Sequence, residues 1–156
     1  MNKLIFLIIL FFIVGCNANE SLVNTPKPNF ESMSFDVVQK QLVIKQDLPD
    51  HIEILVTDWF NEKVKIDGFD GDMTFVIYDY SQEISPISDG KKIDTSLFFQ
   101  VLLNKPSLSQ RKLIEGSVSS YGTLTGVFSL SEFDTVIQNT QSDLILRLSR
   151  DLQSKI

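Results

Sequence analysis

Residues 129–152 carry the pattern that most restricts what this chain can become. Ser129-Leu-Ser-Glu132 has the form of a capping box, in which a serine hydroxyl and a glutamate three residues on satisfy each other's backbone N–H groups. Behind it Phe133, Val136, Ile137, Thr140, Leu144, Leu148 and Leu152 recur at helical spacing. That predicts an amphipathic helix of about seven turns. Such a helix must lay its apolar stripe on another element, and only strands lie upstream in any number.

Phe35 to Lys45 reads as the first strand, with Val38, Leu42 and Ile44 on one parity. Asp47-Leu-Pro-Asp50 leads into Ile52, Leu55, Val56, Trp59 and Phe60, whose spacings of three and four define a second helix. Asp50 and Glu53 resemble a capping box there, and Gly68 would supply the left-handed residue beyond its end. Met73 to Glu83 is a second strand, Ser85 to Gly90 a loop, and Ile93 to Leu103 a third strand. Lys105-Pro106-Ser107 turns the chain into a fourth, Lys112 to Leu124, diluted by Gly116 and by Ser117 to Ser120. The order β-α-β-β-β-α and the short loops between the last three strands predict an α+β fold. It is a two-layer sandwich of a four-stranded, mostly antiparallel sheet with two helices on one face.

The amino terminus is of another kind. Met-Asn-Lys precedes the unbroken apolar run Leu4 to Val14, then Gly15 and Cys16. At ~1.5 Å per residue the run spans about 16 Å, roughly half a bilayer's hydrocarbon core, which suits a secretory signal better than a transmembrane helix. Ile13-Val14-Gly15-Cys16 resembles the lipobox of bacterial lipoprotein precursors. That resemblance implies recognition of Ile13, Val14 and Gly15 by the signal peptidase and cleavage before Cys16. It also implies diacylglycerol on the Cys16 sulfur and an acyl chain on the new amino terminus. Two or more chains hold a protein stably on a membrane. Asn17, where the Gram-negative sorting rule places Asp for inner-membrane retention, implies the outer membrane, facing the periplasm. Residues 1–15 are then a cleaved signal, 16–34 the lipidated end and a tether, and 35–156 the α+β domain. The tether holds Pro26, Pro28 and few apolar residues; as a coil its eighteen residues from Asn17 reach about 23 Å.

Composition narrows the chemistry. Fourteen Lys and Arg against 20 Asp and Glu exclude nucleic acid as a partner, since phosphate contacts need clustered positive charge. Without the signal the balance becomes 13 against 20, or −7. One Cys, taken by lipid, leaves no thiol nucleophile, and the one His leaves no zinc site. His51 could act as a general base, but no serine in a nucleophile elbow accompanies it, so it reads as a solvated or capping residue. Asp67, Asp70 and Asp72 could gather Ca²⁺, but the segment lacks the EF-hand Gly and Glu and suits an ordinary turn. No catalytic residue, metal or cofactor is expected beyond the acyl groups on Cys16, and the chain is not expected to be an enzyme.

What remains is a surface. With Leu97, Phe99 and Val101 toward the helices, Phe98 and Leu102 point away, and Val76, Tyr78 and Tyr80 form one of two alternating sets on the second strand. Tyr78, Tyr80, Phe98 and Leu102 are the candidate partner surface, because an uncovered sheet face should otherwise be polar. By element order and long final helix the domain resembles the lipopolysaccharide-assembly lipoprotein that plugs the outer-membrane translocon. It also resembles small uncharacterised Gram-negative lipoproteins, in which a Trp-bearing helix (Trp59) leads through a glycine turn (Gly68, Gly71) into an Ile-x-Asp strand (Ile77 to Asp79). The expected function is a non-enzymatic accessory or assembly subunit of the envelope, bound to the membrane by its anchor and to an outer-membrane or other envelope protein. The alternative is a periplasmic lipid or small-molecule binding module with a cavity between sheet and helices.

Overall fold

The computed structural model describes residues 29–156; Cys16, Ile13, Val14, Gly15 and most of the tether lie outside them. The elements are β1 (Met33–Phe35), β2 (Gln39–Ile44), α1 (Asp50–Lys63), β3 (Val64–Ile66), β4 (Asp72–Ile87), β5 (Gly90–Lys105), β6 (Gln110–Thr125) and α2 (Leu130–Gln153). β4, β5 and β6 are long antiparallel strands, and β2 adds to β4 in parallel, giving the sheet order β2-β4-β5-β6. Both helices pack on one face. The two-layer α+β sandwich with its mostly antiparallel four-stranded sheet is therefore observed.

The core lies between the layers. Ile52, Val56, Trp59 and Phe60 of α1 and Leu144, Ile145, Leu148 and Leu152 of α2 meet Phe75, Ile77, Leu97, Phe99 and Val101, all buried. Trp59 sets its edge on Phe75 at 5.4 Å, and Phe75 stacks on Phe99 at 5.6 Å and 5°. The Ser129 capping box forms as expected, with Glu132 N–H donating to Ser129 Oγ at 3.2 Å and Ser129 N–H to Glu132 Oε2 at 2.7 Å. The Ser129 N–H, and then the Ser129 hydroxyl donating to the same Oε2 at 2.8 Å, hold the Glu132 carboxyl below its usual range.

Four details depart from the sequence reading. The first strand divides at Asp36–Val38, because β1 leaves the main sheet to pair in parallel with β3. Gly68 makes that crossing: a Cβ there would sit 2.3 Å from the Val37 nitrogen and 2.4 Å from the Asp36 carbonyl carbon. It is thus a close-approach residue, and α1 ends earlier, at Lys63. At the other end of α1 the N-cap is Pro49, with no side-chain cap bond; Asp50 and Glu53 lie in the first turn, where the helix dipole favours carboxylates. Finally, the folded unit extends upstream of Phe35, since Phe30 and Met33 are buried in the core.

With no glycine to close α1, a lysine does it. Lys40 lies on the helix side of β2, and its Nζ donates to the carbonyls of Phe60 (2.8 Å), Asn61 (3.3 Å) and Val64 while sitting 4.8 Å over the Phe60 ring. Burial, then the nearby Lys65, lowers its pKa from the ordinary lysine value. A cation at a helix C-terminus satisfies orphan carbonyls and the dipole together. Lys40→Met keeps the stem and removes the charge. It is expected to cost about 1.5–2 kcal/mol, the lower part of the range for charged hydrogen bonds because the site is partly exposed. Urea denaturation of the variant reads this directly, and an unchanged midpoint would contradict the capping role.

Candidate functional site

The face of the sheet away from the helices is built by strand alternation. On β5, Ile93, Thr95, Leu97, Phe99 and Val101 turn inward and are buried, so Phe98, Gln100 and Leu102 turn outward. β4 pairs Thr74 with Leu102 and Val76 with Gln100, while β6 pairs Leu102 with Leu113 and Gln100 with Glu115. These rows place Leu102 (44% exposed) beside Leu113 (54% exposed). Higher on the face Tyr78 lies against Phe98, ring centroids 6.0 Å apart.

The expected set does not stay together. Pairing runs Ile77 to Phe99 and then Asp79 to Phe98, so Tyr78 is the extra residue of a β-bulge. The bulge inverts the parity of everything after it. Tyr78 remains on the open face, 40% exposed, but Tyr80 is 8% exposed and belongs to the helix side. There its hydroxyl donates to Gln82 Oε1 at 2.9 Å and accepts from Gln141 Nε2 of α2 at 3.1 Å. Burial raises the Tyr80 pKa above its ordinary value, with the Gln141 bond opposing it. Tyr80 is accordingly removed from the candidate surface, and Leu113 is added to it. Parity marks Leu113 once Ile114, Gly116 and Val118 are seen to face inward.

Polar rows bracket the apolar strip Tyr78–Phe98–Leu102–Leu113. Asn104 Nδ2 donates to Asp72 Oδ1 at 3.0 Å below it. Above it Ser81 and Ser96 share a bond of 2.8 Å, and Lys92 pairs with Asp94 at 2.6 Å. Gln100 and Glu115 join across its middle. The face therefore carries two apolar pairs, Tyr78–Phe98 and Leu102–Leu113, separated by one polar row and bounded by others, and apolar contacts mixed with satisfied polar groups are what protein interfaces use.

The other residues singled out in the sequence have structural partners. Asp70 accepts the Ser107 N–H at 3.0 Å, a bond that ties the Asp67–Asp72 turn to the β5–β6 turn; the Ser107 hydroxyl first, and then this N–H, hold its carboxyl below the usual range. His51 is half-buried and hydrogen-bonded to the Gln138 backbone of α2. Burial lowers its pKa against the effect of that bond, so it joins the helices and is neither a solvated nor a capping residue. Among the described residues no group of three or more His, Cys, Asp and Glu side chains could hold a metal. No described helix is long and apolar enough to cross a membrane.

No family model and no curated protein matches the sequence. Among solved structures, a minor lipoprotein from Acinetobacter baumannii superposes with a TM-score of 0.51 at 8% identity, over 75% of this chain and 93% of its own. Rare lipoprotein B from Shewanella oneidensis gives 0.47 at 14% identity, over 76% and 98%. An uncharacterized lipoprotein B from Nitrosomonas europaea gives 0.45 at 10%, over 81% and 88%. The narrower likeness to the lipopolysaccharide-assembly lipoprotein is not established by these matches. At such identities the likeness is one of fold alone, and the fold is that of the Acinetobacter lipoprotein, as the resemblance to small Gram-negative lipoproteins implies.

Proposed function

We propose that the protein is a lipid-anchored envelope lipoprotein, facing the periplasm from the outer membrane, that acts as a non-enzymatic accessory or assembly subunit. The observation that carries this reading is the set Tyr78, Leu102 and Leu113, exposed, with Phe98 half-buried against Tyr78, on the face of the sheet away from the helices, above a core already filled by stacked aromatic rings. The strip is a docking surface for an envelope protein; Cys16, at the end of the only long apolar run, is the anchor. A lipid or small-molecule carrier would need space between sheet and helices, where Trp59, Phe75, Phe99, Leu144, Ile145 and Leu148 are all fully buried against one another.

The test is crosslinking in intact cells with the full, lipidated chain. Phe98→Asp and Leu102→Asp are each expected to lower recovery of the crosslinked envelope protein about tenfold or more, the scale of an interface hot spot, with the melting temperature held within a few degrees. Cys16→Ser is expected to release the chain from the membrane fraction. Undiminished recovery in both face variants would refute the docking role; continued membrane fractionation of Cys16→Ser would refute the anchor.

A further inference from the structure

β6 ends the sheet, so one of its edges has no neighbour among the described strands. Gly126 N–H donates to the Asp89 carbonyl at 3.0 Å, in register with the β5–β6 ladder. Antiparallel pairs alternate, so the even-numbered residues of β6 bond β5 and the odd-numbered ones turn their N–H and C=O groups to the open edge. At Glu115 the outward carbonyl is taken by Lys155 Nζ at 2.9 Å, which closes the lower end. Beyond it, no hydrogen bond from a described residue reaches the outward groups of Ser117, Ser119, Tyr121 and Thr123, and all four residues are exposed. Strand edges are ordinarily kept apart by charge, proline, a bulge or shortness. Gly116 to Thr125 has no charged residue and no proline, and its pairing with β5 is unbroken.

The charge of α2 selects what fits this edge. The helix runs antiparallel to β6, with Val136 and Thr140 over Gly122 and Asp151 over Gly116. Leu130 to Leu146 carries Glu132, Asp134 and Asp143 and no Lys or Arg; beyond it come Arg147, Arg150 and Lys155 against Asp151 alone. Arg147 and Arg150 border a concavity of about 440 Å³ beside Ser117 and Ser119. Arg147 pairs with Asp143, but Arg150 has no salt bridge among the described residues.

We propose that this edge takes a second copy of the chain, β6 pairing antiparallel with β6 about a twofold axis near Ser120. Ser117 then lies opposite Thr123 of the second copy and Ser119 opposite its Tyr121, so every outward group is satisfied. The same axis sets the basic part of each α2 against the acidic part of the other. α2 contacts both β5 and β6. With strands ~4.8 Å apart, a helix seated between them lies about 5 Å from the axis. The two helices are then about 10 Å apart, the packing distance of neighbours.

The test uses the full chain in detergent, with sedimentation velocity and residue-resolved hydrogen exchange over about a hundredfold range of concentration. A monomer–dimer equilibrium is expected. The amides of Ser117, Ser119, Tyr121 and Thr123 should slow about tenfold or more toward the high end, while those of Val118 and Ser120, held by β5, stay protected throughout. Ser119→Pro removes an outward N–H that the ladder does not use, and should leave a monomer with its melting temperature within a few degrees of the parent. Arg150→Glu should weaken the dimer about three- to tenfold, the effect of losing two exposed charge pairs. A monomer at every concentration would overturn the proposal, as would a dimer indifferent to both variants. So would protection of the odd-numbered amides that ignores concentration, which would mean that the chain's own residues cover the edge. The contact is separate from the outer-face docking surface, so Leu102→Asp should leave the dimer intact; loss of the dimer there would place the contact on that face instead.

Discussion

Phe99→Ala is expected to cost the fold about 3–5 kcal/mol, the range for deleting a fully buried phenylalanine. The ring lies at the centre of the core. It stacks on Phe75, Lys155 Nζ sits 5.6 Å over it, and its β6 neighbour across the pair is Gly116. Alanine would leave a void that these neighbours cannot fill. Phe75 is itself fixed by Trp59 and Phe60, and Gly116 has no side chain to move inward. The loss is a large fraction of the 5–15 kcal/mol typical of a whole domain. Urea denaturation should show the midpoint falling with little change in slope. Phe99→Leu, which refills much of the space, should cost clearly less. Equal costs for the two would mean that the cavity is not what matters at this position.

Position 99 also shows what the sequence could reveal. Alternation along β5 announces Leu97, Phe99 and Val101 as inward and Phe98 and Leu102 as outward, and burial agrees. The capping box at Ser129, the helical stripe behind it and the order of the main strands are equally legible, because each depends on near neighbours in the chain. The bulge at Tyr78 is not. Phe75-Val-Ile-Tyr-Asp-Tyr80 contains no Gly or Pro to mark it, and every residue but Asp79 favours a strand. The pairing slip depends on β5 lying opposite, so parity counting assigns Tyr80 to the wrong face. β1 and β3 fail for a similar reason: three-residue strands have almost no pattern of their own, and these two meet across α1. Lys40 misleads differently. An inward lysine on a strand looks like a defect in alternation until the carbonyls of Phe60, Asn61 and Val64 are seen around it.

The glycines of β6 carry the least legible information and the second large prediction. Read along the chain, Gly116 and Gly122 only weaken a strand. In the fold both face α2, at two points along its length. A Cβ on Gly122 would lie 2.5 Å from Thr140 Oγ1 and 2.7 Å from Val136 Cγ1. One on Gly116 would lie 2.5 Å from the Cε1 and Cζ atoms of Phe99 and 2.6 Å from Asp151 Oδ2. They let the helix approach the strand closely enough for Lys155, just past its end, to bond the Glu115 carbonyl at 2.9 Å. Gly116→Val is therefore expected to destabilise by about 3 kcal/mol, the upper part of the range for overpacking, since the Phe99 ring cannot yield without losing Phe75. Any gain in strand propensity from valine is at most ~1 kcal/mol and does not offset this. Ser117→Val separates the two effects. It makes a similar change in propensity one residue on, but on the exposed face, and is expected to be within about 0.5 kcal/mol of the parent. Hydrogen exchange should localise the damage of Gly116→Val to α2, whose amides from Leu144 to Leu152 would lose protection before those of β4 and β5. Should Gly116→Val and Ser117→Val denature alike, the close seating of α2 on β6 would not be what holds the two layers together.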